Sequence, residues 1–517
     1  MQKKTVIIGS GLGGLLTGYL LSKEGINVTV LEKHRKFGGC LQSFKRDRYS
    51  FDTGIHYIGS MSPGQTLHNY WKYFGLTDNL DLLKMDTDGF DRISFGGNAS
   101  VESVTDFPLA QGFANFREQL LPFFTDADPV LRSYIHKLKE ITDSHPLYNL
   151  ELPSKSGSEK YSIENAYSFL QTLSPNINDP ASGIRHLATG IQLTDILAGN
   201  NFLYAGNPFT TPLSQFGLIN HSFISSAWRL AGGSQQIADI LVEGIRAHGG
   251  IVLAKKKVTR ISRTGDLFDI ATKDGDRFEA MQVISGIHPA ATLQLMKDIP
   301  IQRVFRERIA HLPNTISVFS VYLGLKPDTF PFMNHNVYHH TSPNVWTDRG
   351  SMIPFRGWPS QFLFMTPPEN GQGEFADTAV IMAPMEFNEV MEWEDSESGA
   401  RNKSYFVFKA KKAKLLLDAV YERFPVLKEA VVTIEISTPL TWRDYTGTVN
   451  GSMYGVVKDV QNPMVSKIHS RTKIPGLFFT GQNVNLHGAL GVTIGSVMTC
   501  GEILGLPKIL ETIKKGI

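Results

Sequence analysis

Residues Thr5–Gly14 read TVIIGSGLGG, in which a β-branched run leads directly into a cluster of glycines. A run with apolar residues at near-helical spacing follows, and the next β-rich segment, Val28–Leu31, ends at the acid Glu32. A strand, a G-x-G-x-x-G turn, a helix and a second strand that ends in an acid form the pattern of a dinucleotide-binding βαβ unit. This part of the sequence therefore predicts a nucleotide-binding α/β domain.

The residues of this turn have separate physical roles. Gly9 permits a tight strand-to-helix turn, Gly11 lets a pyrophosphate approach the backbone because it has no Cβ, and Gly14 lets the helix pack close to the sheet. The unpaired N–H groups and the partial positive charge at the start of the helix favour a diphosphate. Glu32 can accept hydrogen bonds from both ribose hydroxyls and would repel a 2′-phosphate.

A second glycine-bearing motif lies near the other end of the sequence. Residues Ile474–Gln482 read IPGLFFTGQ and predict a strand that enters a tight turn. Residues Gly488–Ser496 read GALGVTIGS and predict the start of a helix, whose positive end would lie near the N1–C2=O edge of a flavin. The two motifs together predict noncovalent FAD, held by a domain that is assembled from distant segments.

A double glycine and the segment after it narrow the class of protein. Gly38 and Gly39 would let backbone amides contact the cofactor, and residues Phe51–Gly59 read FDTGIHYIG. These residues resemble the flavin amine oxidase and phytoene desaturase superfamily, and FDTGIHYIG is most similar to its retinol saturase and carotenoid isomerase branch. Gln482 stands where many members carry an acid, and its amide can still bond to a hydroxyl. Other segments that resemble the polyene-acting branch are Thr438–Thr441, Tyr445–Gly447 and Gly451–Gly455.

The motifs and the resemblance imply a set of site residues. The backbone beside Val258 would meet the adenine ring. His56 would lie near the isoalloxazine edge, where it could donate a proton or orient the substrate, and a purely structural role is an equal alternative. His487, Tyr57 and Tyr454 are further candidates for the cleft, against a packing role for each. The residues implied to bind FAD are Gly9, Gly11, Leu12, Gly13, Gly14, Glu32, Lys33, Gly38, Gly39, His56, Val258, Gly481, Gln482, Gly491 and Val492.

The pattern along the chain predicts two discontinuous domains. The expected fold class is α/β, with a Rossmann-like FAD-binding domain and an α+β substrate domain of the flavin amine oxidase and phytoene desaturase type, and with the ligand between them. In the second domain, Ser317–Leu323 is predicted to be a half-buried strand and Thr378–Met382 a buried one. The FAD-binding domain is predicted to comprise residues 1–65, 226–299 and 440–517, and the substrate domain residues 66–225 and 300–439.

Composition excludes several classes of protein. The chain has 517 residues and a formal net charge of +2, so nothing indicates a nucleic-acid partner. Its two cysteines, Cys40 and Cys500, have no zinc or redox spacing and exclude a disulfide-rich scaffold. The first strand leaves no room for a signal peptide, and no apolar stretch is long enough to cross a bilayer. A cytoplasmic protein is therefore expected, with peripheral membrane contact as an open alternative.

Several local patterns have two interpretations. Phe113–Phe124 is predicted to be a core helix, with an apolar membrane-facing patch as the alternative. His335, His339 and His340 are predicted to be surface histidines rather than metal ligands, and no metal is expected. The acidic stretch Glu386–Glu397 is predicted to be a solvated face, and Lys155–Lys160 a flexible loop.

The resemblance implies a FAD-dependent oxidoreductase that acts on CH–CH groups. It would reduce or desaturate a carbon–carbon double bond of an apolar isoprenoid or polyene, by hydride transfer at flavin N5. No second G-x-G-x-x-G turn is evident between a strand and a helix, so NAD(P)H, if it is the donor, would act from outside or share the substrate cleft. The alternatives are a carotenoid cis–trans isomerase that uses reduced FAD and a flavin amine oxidase. A binding module like the Rab escort proteins is a further alternative, against which the intact glycines and Glu32 argue.

Overall fold

A computed structural model describes residues 4–96, 105–124, 126–153, 160–173, 190–343, 345–346, 357–369 and 373–517. Most of the loop predicted at Lys155–Lys160 lies outside these residues. The strands are β1 (Lys4–Ile8), β2 (Asn27–Leu31), β3 (Ser43–Arg46), β4 (Tyr49–Asp52), β5 (Ile58–Gly59), β6 (Leu82–Lys84), β7 (Asp91–Phe95), β8 (Thr105–Leu109), β9 (Ala227–Leu230), β10 (Ile251–Leu253), β11 (Val258–Thr264), β12 (Leu267–Thr272), β13 (Arg277–Ala280), β14 (Gln282–Ser285), β15 (Ser317–Leu325), β16 (Asn336–His340), β17 (Gln361–Met365), β18 (Thr378–Met385), β19 (Val431–Ser437) and β20 (Leu477–Phe479). The helices are α1 (Leu12–Lys23), α2 (Thr66–Tyr73), α3 (Phe113–Leu120), α4 (Asp128–Asp143), α5 (Ala166–Leu173), α6 (Leu193–Leu197), α7 (Leu213–Ser225), α8 (Gln235–Ala247), α9 (Pro289–Leu295), α10 (Arg303–Ala310), α11 (Lys403–Arg423), α12 (Leu427–Ala430), α13 (Pro439–Thr446), α14 (Pro463–Ser466), α15 (Gly488–Leu504) and α16 (Leu506–Lys515).

The first sheet has five parallel strands in the order β10–β2–β1–β14–β20. Its central strand is β1, in which Thr5 pairs with Val28 on one side and with Gln282 on the other. β20 completes the sheet, where Leu477 pairs with Val283. Three distant stretches of chain thus form one parallel sheet, and the predicted α/β fold class is confirmed.

Helix α1 is buried on nearly every side. All residues from Leu12 to Ser22 are buried, although the apolar spacing predicted a single apolar face. The prediction was too narrow because α8 and α15 cover sides of the helix that the sheet leaves open. Small residues make this possible: a Cβ on Gly18 would lie 3.1 Å from Ile245 Cδ1 and 3.3 Å from Val30 Cγ2.

The second sheet has seven strands in the order β19–β15–β18–β17–β16–β7–β8. Neighbouring strands are antiparallel except β16 and β7, which are parallel. The prediction of a buried strand at Thr378–Met382 is confirmed, but the half-buried strand predicted at Ser317–Leu323 is wrong, because β15 is buried along its whole length. One face of this strand packs on α11, and on the other face Tyr322 packs against Phe44 and Phe51 of the β3–β4 hairpin. The same core cluster includes a layer formed by α3, α4 and α7.

This helical layer decides between the two interpretations of Phe113–Phe124. Phe116, Leu120 and Phe124 are fully buried, and they pack with residues of α4 and α7. The prediction that Phe113–Phe124 contributes a core helix is therefore confirmed, and the alternative of an exposed apolar patch is not. Within the described ranges, no helix combines the length and the apolar character that crossing a bilayer requires.

Three small sheets accompany the two large ones in the described residues, and the smallest is the two-stranded β3–β4 hairpin. Strands β11, β12 and β13 form an antiparallel sheet beside the five-stranded sheet. Strands β5, β9 and β6 form another, in which β9 pairs with both of its neighbours. This sheet joins residues from three stretches of chain, next to the cavity described below.

The predicted surface position of the histidines is wrong for two of them. His339 and His340 lie in β16 and are 4% and 3% exposed, because β16 is an interior strand. His339 Nε2 bonds to the Gly96 carbonyl oxygen at 2.7 Å, and His340 Nε2 bonds to that of Gly199 at 2.8 Å. No group of three potential metal ligands is found among the residues that the structure describes. The acidic stretch Glu386–Glu397 is mostly exposed, as predicted.

Candidate functional site

The glycine turn leaves open space at one position and none at another. A Cβ on Gly11 would have no heavy atom within 4 Å, whereas a Cβ on Gly14 would lie 2.1 Å from the Gly9 carbonyl oxygen. α1 begins at Leu12, directly beside that open space, and no side chain caps its first turn. The N-terminus of α1 is therefore a backbone site that suits an anionic group.

Glu32 is held against the turn by hydrogen bonds that the sequence analysis did not anticipate. Its carboxylate is 5% exposed, and Oε2 accepts from the amide of Ser10 at 3.0 Å and from Ser10 Oγ at 2.6 Å. Oε1 accepts from the amide of His34 at 2.9 Å. Ser10 Oγ also accepts from the amide of Gly38 at 3.2 Å, so one serine ties the turn, the acid and the double glycine together. In the sequence, the one feature that indicates this role of Ser10 is its position between Gly9 and Gly11 of the motif.

Gly39, Val258 and Lys33, which were also candidates for cofactor binding, lie around the same edge of the five-stranded sheet. A Cβ on Gly39 would lie 3.1 Å from the Cα of Gly11. Val258 begins β11, two residues after Lys256, whose amide donates to the Glu32 carbonyl oxygen at 2.7 Å. The Lys33 ammonium donates to the Asp444 carbonyl oxygen at 3.0 Å. This hydrogen bond links the residue after Glu32 to α13.

The tail motif contacts the front turn directly. A Cβ on Gly13 would lie 2.6 Å from the Cα of Gly481 and 3.4 Å from Val492 Cγ1. Thr480 Oγ1 and Thr17 Oγ1 are 3.0 Å apart and share a hydrogen bond. The structure thus brings the two motifs together.

Gln482 and Gly491, two further candidates from the second glycine-bearing region, lie close to Gly481. Gln482 follows Gly481 and is half-buried. Gly491 is in the first turn of α15, where a Cβ would lie 2.6 Å from Leu486 Cβ. The first turn of α15, like that of α1, has no side-chain cap.

A cavity of about 640 Å³ lies beside the tail motif. Its wall includes residues Gly54–Gly59, the first turn of α15 and residues of β16, β17 and β18. Apolar side chains such as Leu218, Phe223 and Met382 make up most of its lining. A cavity of this size and character suits a ligand of small-molecule size with a mainly apolar surface.

His56, a candidate from the sequence, lies in the cavity wall. Neither of its ring nitrogens has a hydrogen-bond partner among the described residues. Burial, and to a smaller extent the charge of Arg229, lowers the pKa of His56 to about 4. The ring is therefore neutral at pH 7, and its nitrogens are available to a ligand.

A buried hydrogen-bonded chain also reaches the cavity. Tyr57 and Tyr338 both line it, and their hydroxyl oxygens are 2.6 Å apart. Tyr57 donates to Asp91 Oδ2 at 3.0 Å, and Asn336 Nδ2 donates to Asp91 Oδ1 at 2.8 Å. Asp91 is completely buried, and this burial raises the pKa of its carboxyl group to about 7. The Asp91 carboxyl group can therefore gain or lose a proton near neutral pH, whereas burial and the charge of Asp91 raise the pKa of the Tyr57 and Tyr338 hydroxyls.

Arg229 supplies the positive charge next to this chain. The guanidinium is fully buried and donates to Asn336 Oδ1 at 3.0 Å and to the backbone carbonyl oxygens of Thr366, Met333 and His335. Its charge counteracts the effect of burial on the pKa of Asp91. Neither Asp91, Tyr338 nor Arg229 was identified from the sequence, because no motif surrounds any of them.

Replacing Arg229 with methionine is expected to destabilise the protein by about 3–5 kcal/mol, because the change leaves Asp91 without its buried counter-charge and several carbonyl groups without donors. Chemical denaturation measures the free energy of unfolding. The control is Arg303→Met, since the Arg303 side chain is 89% exposed and its loss should cost less than about 0.5 kcal/mol. Equal effects of the two changes would contradict the structural role of Arg229.

The chain is similar to known proteins over nearly its whole length. Residues 12–390 match the model of the family described as flavin containing amine oxidoreductase. Among curated relatives, all-trans-retinol 13,14-reductase of Danio rerio is 26% identical over 96% of this chain and 85% of the relative. Prolycopene isomerase 1 of an Oncidium hybrid cultivar is 24% identical over 97% of this chain and 84% of the relative.

A solved structure shares the fold. The oxidoreductase from Methanosarcina mazei superposes with a TM-score of 0.62 at 17% identity, over 96% of this chain and all of the other. The fold class and the resemblance predicted from the sequence are thereby confirmed. The family match covers more than half of the chain and names the cofactor class as a flavin. The chain therefore belongs to the family of flavin-containing amine oxidoreductases.

Proposed function

We propose that the protein is a FAD-dependent oxidoreductase that reduces or desaturates a carbon–carbon double bond of an apolar isoprenoid or polyene. The observation that carries the proposal is the predominantly apolar cavity with a buried hydrogen-bonded chain in its wall. The hydrocarbon part of such a substrate fits this lining, and reduction of its double bond needs one proton in addition to a hydride. The likeness to retinol reductases and carotenoid isomerases supports the same substrate class.

The cofactor assignment follows from the residues at the edge of the five-stranded sheet. The open space at Gly11 and the uncapped start of α1 suit the pyrophosphate, and Glu32 suits the ribose. When bound, FAD supplies a hydride donor or acceptor at N5 of its flavin. The other residues that we assign to it are Gly9, Leu12, Gly13, Gly14, Lys33, Gly38, Gly39, His56, Val258, Gly481, Gln482, Gly491 and Val492.

The same assignment groups the chain into two functional units. Residues 1–65, 226–299 and 440–517 would hold FAD, and residues 66–225 and 300–439 would form most of the substrate side. Both sides contribute to the cavity wall, since His487 belongs to the first group and Tyr338 to the second.

The proton for alkene reduction would come from the cavity end of the buried chain. When Asp91 is protonated, it donates to Tyr57, Tyr57 donates to Tyr338, and the Tyr338 hydroxyl is free to donate into the cavity. Transfer of that proton to carbon is followed by transfer from Tyr57 to Tyr338 and from Asp91 to Tyr57. After these transfers Asp91 is left as a carboxylate, and the positive charge of Arg229 stabilises it. Desaturation would use the same steps in reverse.

His56 would have a different part in the reaction. Its neutral ring and its two unpartnered nitrogens suit hydrogen bonding to the substrate. A histidine with a pKa of about 4 is a poor proton store at pH 7, so we assign proton supply to Asp91.

Product mass distinguishes the candidate reactions. Purified protein with its flavin reduced would be mixed anaerobically with all-trans-retinol or with prolycopene, and the products analysed by mass spectrometry. Saturation adds two hydrogens, and we expect this result with retinol. Unchanged mass with altered retention would instead indicate cis–trans isomerisation. Peroxide release from putrescine in air, without reaction on either polyene, would indicate amine oxidation and overturn the proposal.

A further inference from the structure

The wall of the 640 Å³ cavity carries a lysine, Lys458, that has no acidic partner among the residues that the structure describes. Lys458 lines this cavity, and its ammonium donates to the backbone carbonyl oxygen of Asn483 at 2.8 Å. Among the residues that the structure describes, none forms an ion pair with it. Burial lowers the pKa of Lys458 to about 8, so most of the side chains are still charged at pH 7. A cation in such surroundings favours the binding of an anion.

The neighbouring acid does not neutralise this lysine. Asp459 Oδ1 accepts from the amide of Gln461 at 2.9 Å, and Oδ2 accepts from Asn462 Nδ2 at 3.0 Å. Both oxygens of Asp459 thus serve the turn that follows it. Lys467 also lines the cavity, but it is exposed and not enclosed as Lys458 is.

A second polar group stands next to Lys458. His487 lines the same cavity, is 6% exposed, and its Nε2 has no hydrogen-bond partner in the described part of the chain. Burial and the charge of Lys458 lower the pKa of His487 to about 3, so the ring is neutral. Its orientation is fixed by stacking on Tyr454, with the ring centres 4.1 Å apart. This part of the wall therefore places an enclosed ammonium group beside a neutral imidazole ring, in a cavity whose lining is mainly apolar.

We infer that this wall binds the carboxylate of an unsaturated carboxylic acid, whose hydrocarbon chain fills the remainder of the cavity. The inference rests on the proposed function for the position of the double bond, but the carboxylate site follows from Lys458 and its place in the cavity wall alone. One lysine balances a monoanion such as a carboxylate. A phosphate ester, with nearly two negative charges, would leave excess charge in an apolar wall.

Matched ligands test the inference without turnover. The holoenzyme would be titrated with all-trans-retinoic acid and all-trans-retinol, which share one hydrocarbon skeleton, and binding followed by the flavin absorbance change. Linoleic acid and linoleyl alcohol provide a second pair and distinguish a retinoid from a fatty acid. We expect an acid to bind at least about 10-fold more tightly than its alcohol at pH 7. The preference should decline above pH 8, where the empty Lys458 side chain loses its proton.

Variants of Lys458 locate the effect. Lys458→Met should abolish the preference for the acid and leave the affinity for the alcohol within about 2-fold, whereas Lys458→Arg should retain the preference. The control is Lys467→Met, which removes an exposed lysine of the same lining and should change neither affinity. Flavin content and melting temperature show that each variant is folded.

The outcomes separate this inference from the proposed function. Equal binding of acid and alcohol by the wild type, or a preference that survives in Lys458→Met, would overturn the carboxylate site. A changed flavin reduction potential in Lys458→Met with the preference intact would assign the lysine to the flavin instead. Acid binding through Lys458 without any change in product mass would leave the site standing and refute the double-bond chemistry.

Discussion

Replacing Gly14 with alanine is expected to yield a protein that holds no flavin and unfolds at a much lower temperature. A Cβ at this position would lie 2.1 Å from the carbonyl oxygen of Gly9, which is backbone and cannot turn aside. α1 would have to move away from β1, and this motion would open the contact between the front turn and Gly481. We expect a loss of about 3 kcal/mol or more in the free energy of unfolding. Thermal unfolding and the visible absorbance of the purified protein measure the two effects.

The control for this change is alanine at Gly11. A Cβ there meets no protein atom within 4 Å, so the melting temperature of the flavin-free protein should stay close to that of the wild type. FAD affinity should nevertheless fall at least about 10-fold, because the methyl group occupies the space that we assign to the pyrophosphate. Normal FAD binding by Gly11→Ala would place the pyrophosphate elsewhere. A Gly14→Ala protein that is as stable and as yellow as the wild type would show that the close approach is not required.

The second large effect is expected for Tyr338→Phe. This change retains the buried ring in β16 and removes the hydroxyl that we assign as the proton donor. The single-turnover rate of reduced protein with all-trans-retinol should fall about 10²–10⁴-fold, as is usual when a general acid is lost. Flavin reduction by dithionite should be unaffected, because it does not need this proton.

A tyrosine outside the cavity controls for the loss of a buried hydroxyl. Tyr405 is buried and bonds to Thr438 Oγ1 at 2.9 Å, in the core of the seven-stranded sheet. Tyr405→Phe should cost a comparable hydrogen bond and leave the single-turnover rate unchanged. A rate for Tyr338→Phe that equals this control would remove Tyr338 from the reaction.

Asp91→Asn tests the other end of the same chain through pH. The raised pKa means that Asp91 is protonated, and able to supply the chain, only below about pH 7. Reduction of the alkene should therefore slow as the pH rises through 7 in the wild type, and this limb should be absent in Asp91→Asn. The charged and titratable groups around Asp91 are Arg229, Tyr57, Tyr338 and Asp86, with His335 paired to Asp86.

Stability should follow the same titration. Protonated Asp91 contributes stability that is complete below the unfolded-state value of 3.8 and is lost as the pH rises through about 7. The free energy of unfolding of Asp91→Asn should lack this decline. A wild-type infrared spectrum without a carboxylic acid band that titrates near pH 7 would contradict the assignment.

The parts of the fold that the sequence predicted are those with short-range signals. Strand β1 and the turn after it combine β-branched residues with glycines at fixed spacing, and β20 precedes a similar turn. Burial of α1 on all sides and of β15 along its length was not predicted, because both depend on which layers pack from outside. A pattern along one segment carries no information about such neighbours.

The chemistry of the cavity was predictable only in part. His56 was found through its glycine-bearing motif, whereas Asp91 and Tyr338 are joined only by tertiary structure. Asp91 pairs with Asn336 across the parallel strands β7 and β16, and this register brings Tyr338 to the same site. Lys458 likewise could not be identified from the sequence, because its enclosed position and the lack of an ion pair to any described residue are properties of the tertiary structure.

The parallel sheet with β1 at its centre has a consequence for synthesis on the ribosome. β20 and α15 come late in the chain, yet β20 completes the sheet that has β1 at its centre and α15 packs against α1, both of which are synthesised long before them. During most of translation, β1 and α1 therefore lack the strand and the helix that complete their packing in the folded protein. We therefore expect the flavin to bind only after the polypeptide is nearly complete. Chains that stop before residue 488 lack α15, and they should be colourless and bound by chaperones.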